Sequence, residues 1–352
     1  MASSSSNSEP PRNTQRLTKE DTSVAGGLIA AGKLVVIPTE TVYGLAAAVT
    51  DPQAVAAIFR AKGRPQDNPL IVHLASVAEA QTVVPPELTT ARRLLEAFSP
   101  GPITVVVPAP AWVPPVVTGG LSTVAIRVPA HPVAQQIITA AGVPVAAPSA
   151  NRSGRPSPTT AEMAWHELAG RVDAVVDGGV ADGGIESTVV DATTEGELRI
   201  LRPGLISAAD LRRRLECPVH ASGSLDQTER TRSPGTRYRH YRPRLPVYLC
   251  QANEVDEMLS SLPLKGRSLW LILGPAEECE RSVAEFEPSL PVRVWRMASW
   301  GEYSHRLYRT FWEAERAAAA LIVAQIPAPG TAEGLADRLE RAAEGSWRSV
   351  QP

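Results

Sequence analysis

The chain has 352 residues and a formal net charge of -2, with 43% hydrophobic and 20% charged residues. This length suits two domains with packed cores, and this composition excludes an intrinsically disordered protein. A net charge so close to zero also excludes capture of nucleic acid or anionic membrane by overall charge, so any anion has to be bound by a local cluster. No stretch approaches the roughly eighteen apolar residues of a membrane span.

The cysteine content and the N-terminus indicate the compartment. Cys217, Cys250 and Cys279 are odd in number and lack a CxxC spacing, which disfavours a disulfide framework or a zinc site and favours a reducing environment. The N-terminal segment has no apolar core of the kind found in signal peptides. We therefore expect a cytoplasmic protein that begins with a disordered lead-in over residues 1–19.

Residues 20–216 alternate short apolar runs with helix-like segments, which predicts an α/β domain. Helices are expected over 51–61, 88–98, 131–141, 160–169 and 208–216, with Asp51 and Thr160 as N-caps. Strands are expected over 34–38, 70–74, 103–109, 123–129, 143–149, 173–179 and 187–193.

The pattern changes at residues 217–246, which lack a hydrophobic period and are rich in Ser, Arg, Pro and Gly. This segment is too long for an ordinary connection inside a compact domain, so we interpret it as a linker or a functional lid. Residues 247–352 again alternate apolar runs with helical stretches and predict a second, smaller α/β domain.

The segment KGRPQDNPLIVH (62–73) indicates an anion site. Gly63 and Pro65 stiffen a loop that holds Lys62 and Arg64 at an i, i+2 spacing. A planar arginine fork beside a lysine point charge suits polyphosphate oxygens, and Asn68 and His73 follow in the same segment. A solvated basic loop is the alternative interpretation.

Arg127 stands in the otherwise apolar strand STVAIRVP (122–129). Thr123, Ala125 and Arg127 share one face of this strand by its two-residue period. An inward-pointing arginine is costly unless an anion meets it. The alternative is an exposed face of an edge strand.

Several further segments combine small hydroxyls, amides and glycines, which suit a phosphate or adenine site outside the P-loop class. Alone, each of them could be a turn or a linker. Their candidate side chains are Thr41 in PTETVYGL, Ser149, Asn151 and Ser157 in APSANRSGRPSPT, Ser187 in GGIESTVVD, Arg202 in ILRPG, and Tyr238 and Tyr241 in SPGTRYRHYRP.

Taken in order, PTETVYGL, KGRPQDNPLIVH, FSPGPITVVV, STVAIRVP, APSANRSGRPSPT, GGIESTVVD, ILRPG and SPGTRYRHYRP resemble the motif series of the YrdC-type threonylcarbamoyl-AMP synthases. The tail resembles their longer, two-domain form. The resemblance implies a YrdC-like twisted open α/β sheet with a large concave cavity in a catalytic domain (20–216). It also implies a linker or lid (217–246) and a small Rossmann-like domain (247–352).

The resemblance further implies a nucleotidyltransferase, L-threonylcarbamoyladenylate synthase. Such an enzyme forms threonylcarbamoyl-AMP and pyrophosphate from L-threonine, bicarbonate and ATP. A separate enzyme complex then transfers the threonylcarbamoyl group to adenosine 37 of tRNAs that read ANN codons. Because no dedicated metal cage is visible in the sequence, Mg²⁺ would arrive with ATP.

The site residues that the resemblance implies fall into two sets. L-threonine would be bound by Thr41, His73, Arg127 and Ser187. ATP would be bound by Lys62, Arg64, Asn68, Thr123, Ser149, Asn151, Ser157 and Arg202, with Tyr238 or Tyr241 closing over the nucleotide. Lys62 and Arg64 would also be catalytic, because they neutralise the departing pyrophosphate. Thr236 replaces a methionine of the family's SPGM motif, which leaves the seating of the lid open.

Two alternatives remain. A basic concave face and an Arg/Tyr linker could form a double-stranded RNA or tRNA-binding module without catalysis, although the near-zero net charge weighs against it. The other alternative is a carbamoyl-adenylate enzyme of a related maturation pathway, whose acylphosphatase and zinc-finger modules this sequence lacks. The sequence does not indicate the oligomeric state or the role of the small domain.

Overall fold

The computed structural model describes residues 12–221, 240–262, 268–275 and 292–344. The first domain contains β1 (Gln15–Thr18), α1 (Thr22–Ala30), β2 (Val35–Ile37), β3 (Gly44–Ala48), α2 (Pro52–Lys62), β4 (Ile71–His73), α3 (Val77–Val83), α4 (Thr89–Phe98), β5 (Ile103–Pro108), α5 (Pro115–Thr118), β6 (Thr123–Arg127), α6 (Pro132–Ala141), β7 (Val145–Ala146), α7 (Ala161–Leu168), β8 (Ala174–Asp177), β9 (Thr188–Asp191), β10 (Leu198–Arg202), α8 (Ala208–Leu215) and β11 (Val219–His220). The second contains β12 (Val247–Cys250), α9 (Val255–Ser261), β13 (Leu269–Leu273), β14 (Val292–Arg296), α10 (Trp300–Arg316), β15 (Leu321–Gln325) and α11 (Glu333–Ala343).

A mixed sheet organises the first domain. In the described ranges its eleven strands follow the order β1-β8-β2-β3-β7-β4-β6-β5-β9-β10-β11. β4 and β6 are parallel neighbours near the middle, with Ile71 opposite Ala125 and His73 opposite Arg127. Since side chains alternate between the faces of a strand, these four residues point to the same face.

The two faces of this sheet are covered unequally. One face carries a large apolar core that includes Val36, Val72 and Ile126 and is covered by α2, α3, α4, α5, α7 and α8. On the other face α1 and α6 cover only the half formed by β2, β3, β7 and β8. The remaining half carries a small cluster of Ile71, Val106, Ala125, Val189 and Leu201. This half of the sheet is therefore the surface on which a cavity can form.

The second domain is a three-layer unit. Its described strands are all parallel and follow the order β12-β15-β13-β14. On one face α10 and α11 bury residues such as Phe311 and Leu339, and on the other face α9 buries Met258 and Leu259. A parallel sheet covered on both faces by helices is the arrangement of Rossmann-like domains.

The two domains share an apolar cluster. Val42, Met163 and Ile185 of the first domain pack in one cluster with Leu307 and Leu335 of the second. In the described part of the chain, no helix combines the length and apolar composition needed to cross a membrane.

The predicted α/β architecture is confirmed, and its elements lie where the pattern indicates, with shorter strands. All seven predicted strands and all five predicted helices form. Asp51 caps α2 by accepting from the backbone N–H groups of Gln53 and Ala54, and Thr160 caps α7 by accepting from that of Met163. The N-cap predictions are therefore confirmed.

Several stretches differ from the predictions. Gln15–Thr18, placed in the disordered lead-in over residues 1–19, instead pair in parallel with β8. They form an exposed edge strand held by backbone hydrogen bonds, which leaves little hydrophobic period to detect. Val219–His220, placed in the linker over 217–246, pair with β10. Gly44–Ala48 form β3 although glycine and alanine rarely favour strands.

The cap of α2 generates a stability prediction, because this helix leads directly into the loop at Arg64. Asp51 Oδ1 accepts from the N–H groups of Gln53 at 2.9 Å and Ala54 at 3.1 Å. We expect Asp51→Ala to lower the free energy of unfolding by about 1 kcal/mol in urea denaturation. Asp51→Asn keeps the accepting oxygen and should lose only a small part of this. Equal midpoints for the wild type and Asp51→Ala would contradict the capping role.

Candidate functional site

A cavity with about 580 Å³ of empty space, part of which is open solvent, adjoins the half of the sheet that α1 and α6 do not cover, with Ile71 in its lining. Its polar lining comes from segments far apart in the chain. These side chains belong to Thr39, Thr41, Arg64, His73, Arg127, Ser149, Glu186, Ser187, Arg202, His240 and Tyr241. All four residues that were predicted to bind L-threonine therefore line one cavity. Arg64, Ser149, Arg202 and Tyr241 of the predicted ATP set line it with them.

His73 is buried and neutral in this cavity. Its Nδ1 lies 3.2 Å from the carbonyl oxygen of Ile71. Because a carbonyl only accepts, Nδ1 carries the proton and Nε2 is left as an acceptor. Burial, together with the charge of Arg127, lowers the pKa of His73 to about 3. The imidazole therefore offers a lone pair, and it adds no charge beside Arg127.

Arg127 lies on an interior strand, since β6 pairs with β4 on one side and β5 on the other. The edge-strand alternative is therefore wrong. Arg127 Nη2 donates to Glu40 Oε1 at 2.7 Å, and Arg127 Nε donates to the carbonyl of Gly101 at 3.3 Å. Burial alone would raise the pKa of Glu40, but the charge and hydrogen bond of Arg127 hold it below its ordinary value. Arg127 already has one carboxylate partner.

Ser187 and Arg202 form a second polar wall. Arg202 Nη2 donates to the carbonyl oxygen of Ser187 at 3.0 Å and to its hydroxyl at 3.2 Å. The Ser187 hydroxyl also lies 2.8 Å from that of Thr104 on β5. The rotamer of Ser187 is thereby held by groups on two neighbouring strands.

Lys62 and Arg64 are separated by Gly63, which adopts φ +61° and ends α2. Lys62 is the last residue of this helix, so its predicted place in a loop is wrong. Its Nζ donates to the carbonyls of Ser149 and, at 2.6 Å, Asn151. Burial, and then the charge of Arg64, lower the pKa of Lys62 well below its ordinary value. Lys62 therefore supports the 149–151 loop.

Arg64 lies on the cavity side of this turn. Its Nη2 donates to the carbonyl of Pro69 at 3.0 Å, and its guanidinium is mostly buried. Of the pair, Arg64 is the residue that lines the cavity.

The other predicted ATP residues stand outside the cavity lining. Asn68, Asn151 and Ser157 are buried, and Thr123 is half-buried at the start of β6, four residues before Arg127. Their roles stay predictions. Tyr238 and Thr236 lie outside the described residues.

His240 and Tyr241 reach the cavity from the C-terminal end of the linker. Tyr241 adopts φ +67°, a left-handed conformation that is strained for an aromatic residue. Burial, followed by the charges of Arg64 and Lys62, lowers the pKa of His240 to about 3. Its Nε2 is buried and has no hydrogen-bond partner among the described residues. Of the two candidate lid tyrosines, Tyr241 is the one described at the cavity.

The sequence pattern indicated no role for Glu40, Glu186 or His240. Glu186 is buried beside Ser187, and its carboxylate accepts from Arg338 Nε at 2.6 Å. Burial alone would raise the pKa of Glu186, but the charges of Arg338 and Arg202 outweigh it and lower that pKa. An acid at the start of an apolar strand could have indicated a buried cation. Nothing local could identify a partner 152 positions away.

Two family models together span most of the chain. The Sua5/YciO/YrdC model, described as "Telomere recombination", matches residues 27–204. The model described as "Threonylcarbamoyl-AMP synthase, C-terminal domain" matches residues 206–344.

Curated relatives and a solved structure agree with both models. The threonylcarbamoyl-AMP synthase of Pyrococcus abyssi is 39% identical over 265 residues, which cover 73% of this chain and 78% of that protein. The Bacillus subtilis threonylcarbamoyl-AMP synthase is 40% identical over 265 residues, covering 74% and 76%. The crystal structure of P. abyssi Sua5 complexed with L-threonine matches with a TM-score of 0.83 and 32% identity, over 96% of this chain and 99% of that one.

The buried neutral histidines generate a pH prediction. The pKa of His73 is about 3 in the folded chain, whereas an exposed histidine in an unfolded chain has a pKa of about 6.5. The unfolded state therefore binds more protons below about pH 6.5, and the free energy of unfolding falls as the pH decreases. Between about pH 6.5 and 4.5, each such histidine contributes a slope of up to about 1.4 kcal/mol per pH unit.

Urea denaturation at several pH values in this window checks the prediction. His73→Gln should reduce the pH dependence of the free energy of unfolding by the contribution of one buried histidine. His166→Gln changes an exposed side chain of the same domain and is the matched control. Parallel pH curves for His73→Gln and the wild type would show that His73 is not buried as a neutral imidazole.

Proposed function

Because this chain belongs to the family of threonylcarbamoyl-AMP synthases that join a Sua5/YciO/YrdC domain to a dedicated C-terminal domain, we propose that it forms threonylcarbamoyl-AMP. The substrates are L-threonine, bicarbonate and ATP, and the second product is pyrophosphate. The observation that carries the proposal is the cavity in which Thr41, His73, Arg127 and Ser187 converge. The L-threonine complex of P. abyssi Sua5 supports it.

The chemistry of this wall suits an amino acid. Arg127 holds Glu40 with one nitrogen, and its charge can also attract the carboxylate of threonine. The neutral His73 offers Nε2 as an acceptor for an ammonium or hydroxyl group. The hydroxyls of Thr41 and Ser187 add donors and acceptors of suitable size for the side chain of threonine.

The reaction then needs alignment more than acid–base chemistry. Bicarbonate and the amine of threonine condense to a carbamate with loss of water. A carbamate oxygen attacks the α-phosphorus of ATP, and the bond to the pyrophosphate oxygen breaks. Arg64 stabilises the charge that develops on pyrophosphate, while Lys62 holds the backbone of Ser149 and Asn151 beside it. Positioning and preorganised charge are the main sources of rate.

We propose that Mg²⁺ enters as part of the Mg·ATP substrate. Within the described ranges, no three His, Cys, Asp or Glu side chains are grouped as metal ligands. Glu186, which lines the cavity, is already engaged by Arg338, and Glu40, which lies outside the lining, is engaged by Arg127. The chain thus offers phosphate-binding groups for ATP, whereas Glu40 and Glu186 form ion pairs with arginines.

The carbamate is unstable in water, so the site has to be covered during the reaction. We infer that His240 and Tyr241 provide this cover, because both line the cavity and belong to the linker. We propose that the remaining members of the predicted ATP set contribute to the nucleotide side; these are Asn68, Thr123, Ser149, Asn151, Ser157, Arg202 and Tyr238.

The product is a mixed carbamic–phosphoric anhydride and needs an acceptor. We propose that a separate enzyme complex transfers the threonylcarbamoyl group to adenosine 37 of tRNAs that read ANN codons, in the cytoplasm. The alternative, an RNA-binding module without catalysis, predicts a steep dependence of tRNA affinity on salt concentration and no turnover.

The decisive experiment incubates the full chain with L-threonine, bicarbonate and Mg·ATP and measures pyrophosphate. We expect release that requires threonine, together with threonylcarbamoyl-AMP detected by mass spectrometry. Omitting threonine supplies the control for simple ATP hydrolysis. Pyrophosphate release that is independent of threonine would overturn the proposal.

Arg127→Lys separates the two substrates. Lysine keeps the charge but loses the planar fork, so it can no longer serve Glu40 and a threonine carboxylate together. We expect the KM for threonine to rise by about tenfold or more, while the KM for ATP changes by less than about twofold. Arg213→Lys changes an arginine with 73% side-chain exposure and is the control. Equal losses for both substrates would mean that Arg127 supports the fold.

A further inference from the structure

We propose that the C-terminal domain is a working part of the threonine side of the site, with Arg338 and Tyr308 as positioning residues that hold Glu186 and Tyr241 in place. This inference rests on the proposed function, and it assigns a task to a domain for which the sequence indicated none. Neither residue lines the cavity; both act through residues that do.

Glu186 is the point of contact. It lies next to Ser187 and lines the cavity, yet two of its hydrogen-bond donors come from the C-terminal domain. Arg338 Nε on α11 donates at 2.6 Å and the hydroxyl of Tyr308 on α10 donates at 3.1 Å, both to Oε2. Ser157 supplies a third hydrogen bond from the first domain, to Oε1. The charge of this cavity carboxylate is therefore balanced largely from the other domain.

Tyr241 is held by the same two residues. Its ring stacks on that of Tyr308 with centroids 5.8 Å apart, and the guanidinium of Arg338 lies 5.0 Å from its centre. These contacts hold a residue whose backbone is in the left-handed region. A linker residue that lines the cavity thus packs against the C-terminal domain.

The loop that precedes Ser187 and the loop that follows Arg202 also touch this domain directly. A Cβ atom on Gly184 would overlap the backbone of Ser304 and His305 on α10. A Cβ atom on Gly334 of α11 would overlap the backbone of Gly204. The loop residues Gly184 and Gly204 therefore lie in backbone contact with α10 and α11.

Arg338 also determines which group Arg202 hydrogen-bonds. Arg202 bonds the carbonyl and hydroxyl of Ser187, while the charge of Glu186 lies close enough to influence it. Arg338 occupies Glu186 and also donates to the carbonyl of Pro203 at 3.0 Å. Without Arg338, the buried carboxylate attracts Arg202 away from Ser187. The expected damage is therefore to threonine binding.

A contact that only holds the two domains together should not affect threonine binding when it is weakened. The chain contains such a contact, which serves as the control. Arg155 of the first domain and Glu315 of α10 form a two-pronged ion pair, with Nη1 at 2.9 Å from Oε1 and Nη2 at 2.5 Å from Oε2. Neither residue lines the cavity. Glu315 also accepts from the backbone N–H of Arg244 in the linker. Glutamine keeps an accepting oxygen for that bond, so Glu315→Gln weakens the ion pair with Arg155 and preserves the contact that holds the linker next to Tyr241.

The test measures binding of L-threonine to the full chain by calorimetry, with a non-hydrolysable ATP analogue measured in parallel. Tyr308→Phe keeps the stacked ring and removes only the hydroxyl, and Arg338→Lys keeps the charge and loses the fork. We expect the Kd for threonine to rise about threefold in the first and about tenfold in the second. Because Arg202 and Tyr241 also belong to the proposed nucleotide side, the Kd for the analogue should rise as well. Glu315→Gln should bind both ligands like the wild type.

A double substitution separates positioning from folding. In Arg338→Met the charge of Glu186 loses its partner, and the carboxylate attracts Arg202 away from Ser187. Adding Glu186→Gln removes that charge and should recover much of the lost threonine affinity. A merely structural role for Arg338 would give no such recovery. Wild-type threonine affinity in both Tyr308→Phe and Arg338→Lys, or an equal loss in Glu315→Gln, would overturn the inference. If the wild-type chain releases no threonine-dependent pyrophosphate, the proposed function fails instead.

Discussion

Four arginines that are buried in the described part of the chain determine how this site is built, because each needs partners inside the protein. Removing an unpaired charge from water costs several kcal/mol or more, so none of them is tolerated without acceptors. Arg64 uses the carbonyl of Pro69, Arg127 uses Glu40, Arg202 uses Ser187 and Arg338 uses Glu186. Satisfying them fixes the loops that surround the cavity before any ligand binds, which is the condition for electrostatic preorganisation.

The cavity is a positive region in a molecule whose formal charge is -2. Its lining contains Arg64, Arg127 and Arg202 against the carboxylate of Glu186, while the buried His73 and His240 stay neutral. Neutral imidazoles bring hydrogen-bonding capacity without adding repulsion among the arginines. The attraction for a polyphosphate is thereby confined to one place, and the outer surface does not have to be basic.

Local patterns sufficed for most of the fold and for one wall of the site. β-branched runs and caps such as Asp51 and Thr160 located the main elements, and motif resemblance placed Thr41, His73, Arg127 and Ser187 together. The exposed edge strand Gln15–Thr18 escaped detection because backbone pairing leaves little side-chain pattern. The partners Glu40 and Arg338 escaped because ion pairs over long sequence separations have no local signature.

The glycine contacts between the domains constrain how they can move. At Gly184 and Gly204 the backbones of the two domains meet without an intervening layer of side chains. Shear motion depends on packed side chains that readjust in small steps, and such a layer is missing at these two points. Separation of the domains is therefore expected as a hinge movement in which both contacts open together. Threonine and ATP would then meet a site that is either fully assembled or fully open, with few intermediate states between.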